Sequence, residues 1–115
     1  MNLEFSERPW GSYQVLHSTP FAQVKEIKVK AGSRLSYQTH QKRAEHWFLV
    51  QGPAIVTIDG VTQTLETGAS IDIGIGVAHR MAAPNGNDVL FIEVQTGTYF
   101  GEDDIVRLED DFGRS

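Results

Sequence analysis

The stretch GSRLSYQTHQKRAEHWFLVQG, residues 32–52, carries the strongest pattern in the sequence. Gln38 and His40 stand two residues apart on an extended segment, so their side chains point to the same face. The chain then turns through QKRA and re-enters a strand at Glu45, which shares its face with Trp47. We therefore predict a strand–turn–strand unit that offers an amide, an imidazole and a carboxylate to a metal ion.

A second stretch, GASIDIGIGVAHRMAA at residues 68–83, supplies another histidine. His79 follows the turn-forming Gly76, and we predict that it is a further protein donor. Imidazole and carboxylate form a borderline-to-hard donor set that suits Zn, Mn, Fe, Co or Ni. The glutamine is a weaker, neutral donor that either binds the ion or holds a water. We predict one divalent metal ion with four ligands: Gln38, His40, Glu45 and His79.

Short β segments separated by turn residues fill the rest of the chain. The pair Asp59-Gly60 between AIVTI and VTQTL is the strongest short-range signal for a two-residue hairpin. Many short strands at this spacing are typical of an antiparallel sandwich or barrel, and only residues 102–110 indicate a helical turn. The predicted strands are 22–30, 46–50, 54–58, 61–65, 70–75 and 88–95.

Composition narrows the classes of function. At 115 residues, 40% hydrophobic and 22% charged, the chain is typical of one soluble globular domain. It has no cysteine, so disulfides, thiolate metal sites and thiol nucleophiles are excluded. No apolar run is long enough to span a bilayer and no signal-peptide pattern opens the sequence, so we expect a cytoplasmic protein without membrane contact. No basic patch is interleaved with aromatic residues, which argues against nucleic-acid binding.

The net charge of −5 is concentrated at one end of the chain. Residues 102–115 hold six acids and two arginines, a charge of −4, which leaves −1 for residues 1–101. Apolar residues interrupt these acids, so we predict that the tail packs on the rest of the protein. The expected organisation is one domain over 1–115, with a barrel at about 8–101 and an acidic tail at 102–115.

These stretches resemble the two motifs of the cupin superfamily. Its first motif has Gly, five residues, His-x-His, three or four residues, Glu, six residues and Gly; residues 32–52 match every spacing, with Gln38 in place of the first histidine. Its second motif matches at Gly68, Gly76 and His79, although the proline and the asparagine of that motif are absent. The resemblance implies an all-β fold, a cupin-type antiparallel jelly-roll β-barrel with a metal site.

A narrower resemblance covers nearly the whole chain. The segments RPWGSYQVL, LSYQTHQKRAEHWFLVQG and EVQTGTYFGEDDIVRLEDDFGR look like the C-terminal cupin module of type II phosphomannose isomerases. That family also has glutamine before the metal histidine, whereas the histidines it often has at Gln41 and Lys42 are absent here. In that family the module usually follows a guanylyltransferase domain, which this sequence lacks, so we expect no GDP-mannose synthesis from it. The resemblance implies a metal-dependent isomerase that converts mannose 6-phosphate to fructose 6-phosphate.

Such an isomerisation needs a base to move the C2 proton and an electrophile for the developing ene-diolate. Glu93, on the strand that follows the second motif, is the candidate base. A solvent-facing strand acid is the alternative interpretation. A phosphate group calls for cations at the barrel mouth, and Tyr99 is expected to close one side of the pocket. The expected substrate-binding residues are Arg34, Lys42, Arg43, Tyr99 and Arg107. For Arg107, anchoring of the tail by ion pairing stays open as an alternative.

Two other functions remain open at this point. One is a cupin module that binds a metal and a sugar without catalysis, and the other is a cupin enzyme of another kind, such as a dioxygenase. The expected partner is a small-molecule sugar phosphate. Exposed Val, Ile and Phe on the barrel favour a homodimer, since two-fold dimers are the commonest oligomers.

Overall fold

The computed structural model describes residues 4–111, apart from the side chain of Glu102. Within that range the chain forms eleven β-strands and one short 3₁₀ turn. The strands are β1 (Phe5–Arg8), β2 (Gly11–Ser18), β3 (Ala22–Val29), β4 (Tyr37–His40), β5 (Arg43–Gln51), β6 (Ala54–Ile58), β7 (Val61–Leu65), β8 (Ser70–Ile73), β9 (His79–Ala82), β10 (Val89–Gly97) and β11 (Ile105–Glu109); the 3₁₀ turn is Glu102–Asp104. None of the described segments is a helix long and apolar enough to cross a membrane.

The strands form two antiparallel sheets. The larger has the order β1-β2-β3-β10-β5-β8, and the smaller has the order β11-β4-β9-β6-β7. Neighbours in each sheet are frequently distant in sequence, as in a jelly roll, where the chain crosses repeatedly from one sheet to the other. The predicted all-β, antiparallel fold is confirmed.

Alternation along the strands places the core between the sheets. On β5 Trp47 and Leu49 are buried, at 2% and 1% exposure, whereas Phe48 and Val50 are 44% and 39% exposed. This is the face parity that the sequence predicts. Phe91 of β10 is fully buried beside Trp47, their ring centroids 5.2 Å apart. Each large apolar side chain buried in this way stabilises the fold by about 1.5–3 kcal/mol.

The hairpin between β6 and β7 forms where the sequence predicts it. Asp59 and Gly60 both have positive φ, at 48° and 80°, as a two-residue type I′ turn requires. Ile58 therefore pairs with Val61, and the register continues to Ala54 opposite Leu65. The turn chemistry sets this pairing, because Asp and Gly are among the residues that tolerate such a backbone.

The C-terminal segment is part of the smaller sheet. Its strand β11 pairs antiparallel with β4, with Ile105 opposite His40 and Arg107 opposite Gln38. The helical turn suggested for 102–110 is limited to three residues, and the strand after it was missed. Strands β1, β2 and β9 were missed as well. The predictions that concern residues 112–115 lie outside the described part of the chain.

Candidate metal centre

Three side chains from three strands meet between the sheets. His40 ends β4, His79 begins β9, and Glu45 comes from β5 of the opposite sheet. Each is nearly buried, at 3%, 3% and 4% exposure, and one potential ligand atom from each lies within 4.8 Å of the others. His40 Nε2 is 3.1 Å from Glu45 Oε2, and His79 Nε2 is 3.5 Å from Glu45 Oε1. Three of the four predicted ligands are thus brought together.

The chemistry of these donors fits a divalent metal ion. Nδ1 of His79 lies 2.9 Å from the carbonyl of Val77, which requires the proton on Nδ1 and leaves the lone pair of Nε2 for an ion. The rings of His40 and His79 are 4.9 Å apart, with both Nε2 atoms beside the same carboxylate. Two imidazoles and one carboxylate suit Zn, Mn, Fe, Co or Ni. Three protein ligands leave coordination positions for water or substrate.

The predicted fourth ligand, Gln38, lies in the same cavity. It stands opposite His79 in the β4–β9 pairing, and its Nε2 donates to Ser36 Oγ at 3.1 Å. Because the amide nitrogen is engaged by the serine, the amide oxygen is the atom left for an ion or a water. Direct ligation by Gln38 stays a prediction.

Glu45 is held ionised despite its burial. Burial opposes the charge, but hydrogen bonds with His40 and Glu93 and the charges of His79 and Arg43 outweigh it, so the pKa of Glu45 is well below its usual value. Nε of Arg43 donates to Glu45 Oε2 at 3.0 Å. Burial, the largest cause, lowers the pKa of His79 and keeps its imidazole neutral, which is the form that binds metals.

The candidate base, Glu93, is next to this cluster. It is 6% exposed, so the alternative of a solvent-facing acid is wrong. The indole Nε1 of Trp47 donates both to Glu45 Oε1 at 3.0 Å and to Glu93 Oε1 at 3.1 Å, and Gln95 Nε2 donates to Glu93 Oε2 at 2.7 Å. Burial first, and then the nearby charge of Glu45, raise the pKa of Glu93 to about 8. The pair therefore holds one ionised and one protonated carboxyl in the metal-free protein.

This raised pKa predicts a pH-dependent stability. Above about pH 4.5 the unfolded chain loses the Glu93 proton, while the folded metal-free protein keeps it up to about pH 8. The folded state thus binds more protons in that window, and its free energy of unfolding falls as the pH rises. In Glu93→Gln this dependence is absent, so the melting temperature of the variant relative to wild type should rise from pH 4.5 to pH 8. A difference that does not change with pH across this window would contradict the assignment.

Only some of the residues predicted to bind phosphate lie at the cavity. Arg43 and Arg107 line the cavity with the metal cluster. The other three do not line it: Arg34 is bonded to Asp111, at 2.7 Å from Nε to Oδ2, and the Lys42 amine lies 5.2 Å from the ring centroid of Tyr99, which is 40% exposed. The predicted substrate-binding role of Arg34, Lys42 and Tyr99 stays a prediction. Arg34 lies in the loop before β4, and its side chain forms ion pairs with Glu109 and Asp111 of the acidic tail.

Within the described part of the chain, Arg80 and Arg34, and not Arg107, form ion pairs with the acidic tail. Arg80 Nη1 lies 2.7 Å from Glu109 Oε1, and Arg34 binds Asp111 with two nitrogens. For Arg107 no ion pair is present among the side chains that the structure describes, which removes the anchoring alternative in the form expected. Since Arg80 directly follows His79, the same short strand joins the metal cluster to the tail.

Several residues of the site were missed by the sequence reasoning. Trp47 bridges the two carboxylates, and Lys25 and Arg8 line the same cavity from β3 and β1. The parity of β5 already placed Trp47 beside Glu45, so this signal was available. Lys25 and Arg8 had none, because their proximity depends on the pairing of distant strands.

Asp104 fixes the turn between two of the metal ligands. Its carboxylate accepts the backbone N–H groups of Gln41 at 3.2 Å and Lys42 at 2.9 Å, in the turn that connects His40 to Glu45. In Asp104→Ala both bonds are lost and the ligands are less well oriented, so we expect metal affinity to fall about 10-fold. Metal titration checks this, with Asp103→Ala as the control, since Asp103 bonds to Tyr99 instead. Equal affinities of both variants would contradict the positioning role.

Fold and site together define the class of protein, a cupin. The capsular polysaccharide assembling protein CapF from Staphylococcus aureus superposes with a TM-score of 0.82 at 19% identity, over 95% of this chain and 32% of that chain. An RmlC-like cupin from Shewanella frigidimarina superposes with a TM-score of 0.75 at 22% identity, over 88% of this chain and 87% of that chain. At these identities the likeness shows the fold alone.

The sequence matches identify the family. Residues 3–110 match the family described as "Mannose-6-phosphate isomerase C-terminal", and the chain belongs to that family. The alginate biosynthesis protein AlgA of Pseudomonas aeruginosa is 51% identical over 108 residues, which are 94% of this chain and 22% of that protein. The mannose-1-phosphate guanylyltransferase of Escherichia coli is 46% identical over 107 residues, 93% of this chain and 22% of that protein. The chain thus spans about a fifth of the length of these relatives.

Proposed function

We propose that this protein is a metal-dependent sugar-phosphate isomerase that converts mannose 6-phosphate to fructose 6-phosphate. The observation that carries the proposal is the buried Glu93 carboxyl, held by Trp47 beside the His40–Glu45–His79 cluster. Glu93, Glu45 and His79 line one cavity. Membership of the family supports the substrate class.

The reaction moves the C2 proton of the sugar to C1 and a hydroxyl proton from O2 to O1, so it needs no oxidant. A divalent ion held by His40, Glu45 and His79 supplies Lewis-acid polarisation of the sugar oxygens. Glu93 takes the C2 proton and returns it to C1 of the ene-diolate. Glu93 would be favoured in its ionised form, which accepts the proton, by the positive charge of an ion held at that cluster.

The surroundings of Glu93 suit this role. Trp47 Nε1 and Gln95 Nε2 each donate a hydrogen bond to one of its oxygens, so the carboxyl is fixed in orientation. Gln95 is itself fully buried and accepts from Gln23 Nε2 at 3.3 Å. The base is therefore oriented before substrate binds. This orientation lowers the entropic part of the activation barrier for proton transfer.

A coupled assay with mannose 6-phosphate tests the proposal. The protein is stripped with a chelator and then given Mn, Co, Ni, Fe or Zn in separate reactions. We expect fructose 6-phosphate to form with at least one ion and not in the presence of chelator. A melting temperature that rises with the sugar phosphate, without conversion under any metal, would instead indicate a binding module and contradict the isomerase.

We also propose that the protein forms a homodimer and acts in the cytoplasm. Support for the dimer comes from apolar side chains on the outer face of the larger sheet, where Phe48 and Val50 are 44% and 39% exposed. Light scattering at micromolar concentration measures the mass, and a monomer would contradict the dimer.

A further inference from the structure

The C-terminal strand delivers an arginine to the cavity of the metal cluster. On β11 Ile105 and Arg107 line this cavity, while Val106 and Leu108 are 50% and 55% exposed, as alternation along a strand requires. Arg107 stands opposite Gln38 of β4, and Gln38 stands opposite His79 of β9. These three residues therefore form one row across the smaller sheet, with the metal ligand and the arginine two strands apart.

The cavity lining has an excess of positive charge. Among the described residues that line it, the carboxylates are Glu45 and Glu93. The described cations of the lining are Arg8, Lys25, Arg43, Arg80 and Arg107. Both carboxylates belong to the site already described. The cavity as a whole is therefore suited to an anionic ligand.

Four of the five cations already have a partner. Arg80 is bonded to Glu109 and Arg43 to Glu45. Arg8 Nη2 donates to the hydroxyl of Tyr13 at 3.2 Å, and the Lys25 amine lies 4.3 Å from the centroid of the same ring. These contacts orient the four side chains and compensate for their partial or complete burial.

Arg107 is different. Its Nε is buried and has no hydrogen-bond partner among the described residues, and none of the described carboxylates forms an ion pair with it. A buried N–H of a charged group without an acceptor is costly, and nearly all such groups in folded proteins are satisfied. A guanidinium presents its N–H groups in a planar fork that matches two oxygens of a phosphate or carboxylate. An oxyanion in the cavity would satisfy this N–H group.

We propose that Arg107 binds the phosphate group of the ligand and so selects phosphorylated sugars over neutral ones. The row Arg107–Gln38–His79 spans two strand spacings, about 10 Å between the outer backbones, and both end residues project into the cavity. A sugar phosphate with its carbonyl end at the metal cluster would therefore have its phosphate on the β11 side of this row. The identity of the sugar end rests on the function proposed above, whereas the oxyanion site does not.

Calorimetric titration of the metal-free protein tests this site without any turnover. The ligands are inorganic phosphate, mannose 6-phosphate and unphosphorylated mannose. For Arg107→Met we expect the affinity for both phosphates to fall about 10–100-fold, because a charge-assisted hydrogen-bonded contact is lost. Affinity for mannose should not change. Arg107→Lys keeps the charge without the planar fork, so its affinity for the two phosphate ligands should lie between those of Arg107→Met and wild type. Lys30 is exposed, and Lys30→Met should bind both ligands as wild type does.

The outcomes separate this inference from the proposed isomerase. Phosphate binding that depends on Arg107 in a protein that converts no sugar supports the oxyanion site and contradicts only the isomerase. In an active enzyme Arg107→Lys should raise KM for mannose 6-phosphate more than it lowers kcat. Absence of phosphate binding by wild type, or unchanged phosphate affinity in folded Arg107→Met and Arg107→Lys, overturns the inference. Circular dichroism establishes that each variant is folded.

Discussion

Glu93→Gln is expected to lower the turnover of mannose 6-phosphate about 100- to 10,000-fold, the usual contribution of a general base. Glutamine has nearly the shape of glutamate and keeps an oxygen for the N–H of Trp47, so the fold and the cavity should persist. It has no basic carboxylate and therefore accepts no proton from C2. Steady-state kinetics of the metal-loaded variant measure the loss.

The metal content of Glu93→Gln is measured together with its turnover, so that loss of metal is not mistaken for loss of the base. Glu93 is not one of the three clustered ligands, so we expect Glu93→Gln to bind one ion per chain as wild type does. Glu66→Gln, an exposed glutamate next to the β7–β8 turn, is the matched control and should leave turnover unchanged. If Glu93→Gln keeps more than one tenth of wild-type turnover with its metal bound, Glu93 is not the base.

His79→Ala and His40→Ala are each expected to weaken metal binding more than about 100-fold. Loss of residues that merely orient metal ligands costs about 10- to 100-fold, and loss of a direct ligand should cost more. Each substitution leaves one imidazole and the Glu45 carboxylate, too few donors to hold an ion in competition with water. Equilibrium dialysis against Zn, Mn and Co measures the affinity.

The chain offers a matched control for these two substitutions. His46 directly follows Glu45 on β5, but it points to the outer face of the larger sheet and bonds to Asp72 there. His46→Ala should therefore bind metal as wild type does. Full metal content in His40→Ala and His79→Ala together would show that the ion is held somewhere else.

The part of the site that the sequence predicts depends on local rules. His40 ends β4 and Glu45 is the third residue of β5, so period-two alternation on each side of the short connection fixes which side chains face inward. The predicted turn QKRA is shorter than expected, because β5 already begins at Arg43. The hairpin at Asp59–Gly60 is predictable from local sequence as well. A type I′ turn needs positive φ at both central residues, and the pair Asp-Gly is preferred there. His79 is more distant and was placed by a second motif of matching spacing.

The part that the sequence does not predict depends on contacts between distant residues. Arg34 contacts Asp111, 77 positions away, and nothing local marks that pairing. Strand β11 pairs at a sheet edge, with exposed apolar residues and many charges, so its alternation gave no clear strand signal. The position of Arg107 in the cavity depends on the pairing of β11 with β4, so it was not predictable either.

The metal site is tested by crystals of the protein loaded with zinc or manganese, with data collected at the absorption edge of the metal. We expect one anomalous peak per chain, within bonding distance of Nε2 of His40, Nε2 of His79 and the carboxylate of Glu45. The same map shows whether Gln38 is a fourth ligand. A peak only at exposed acids, or no peak in the cavity at saturating metal, would show that these three residues do not form the metal site.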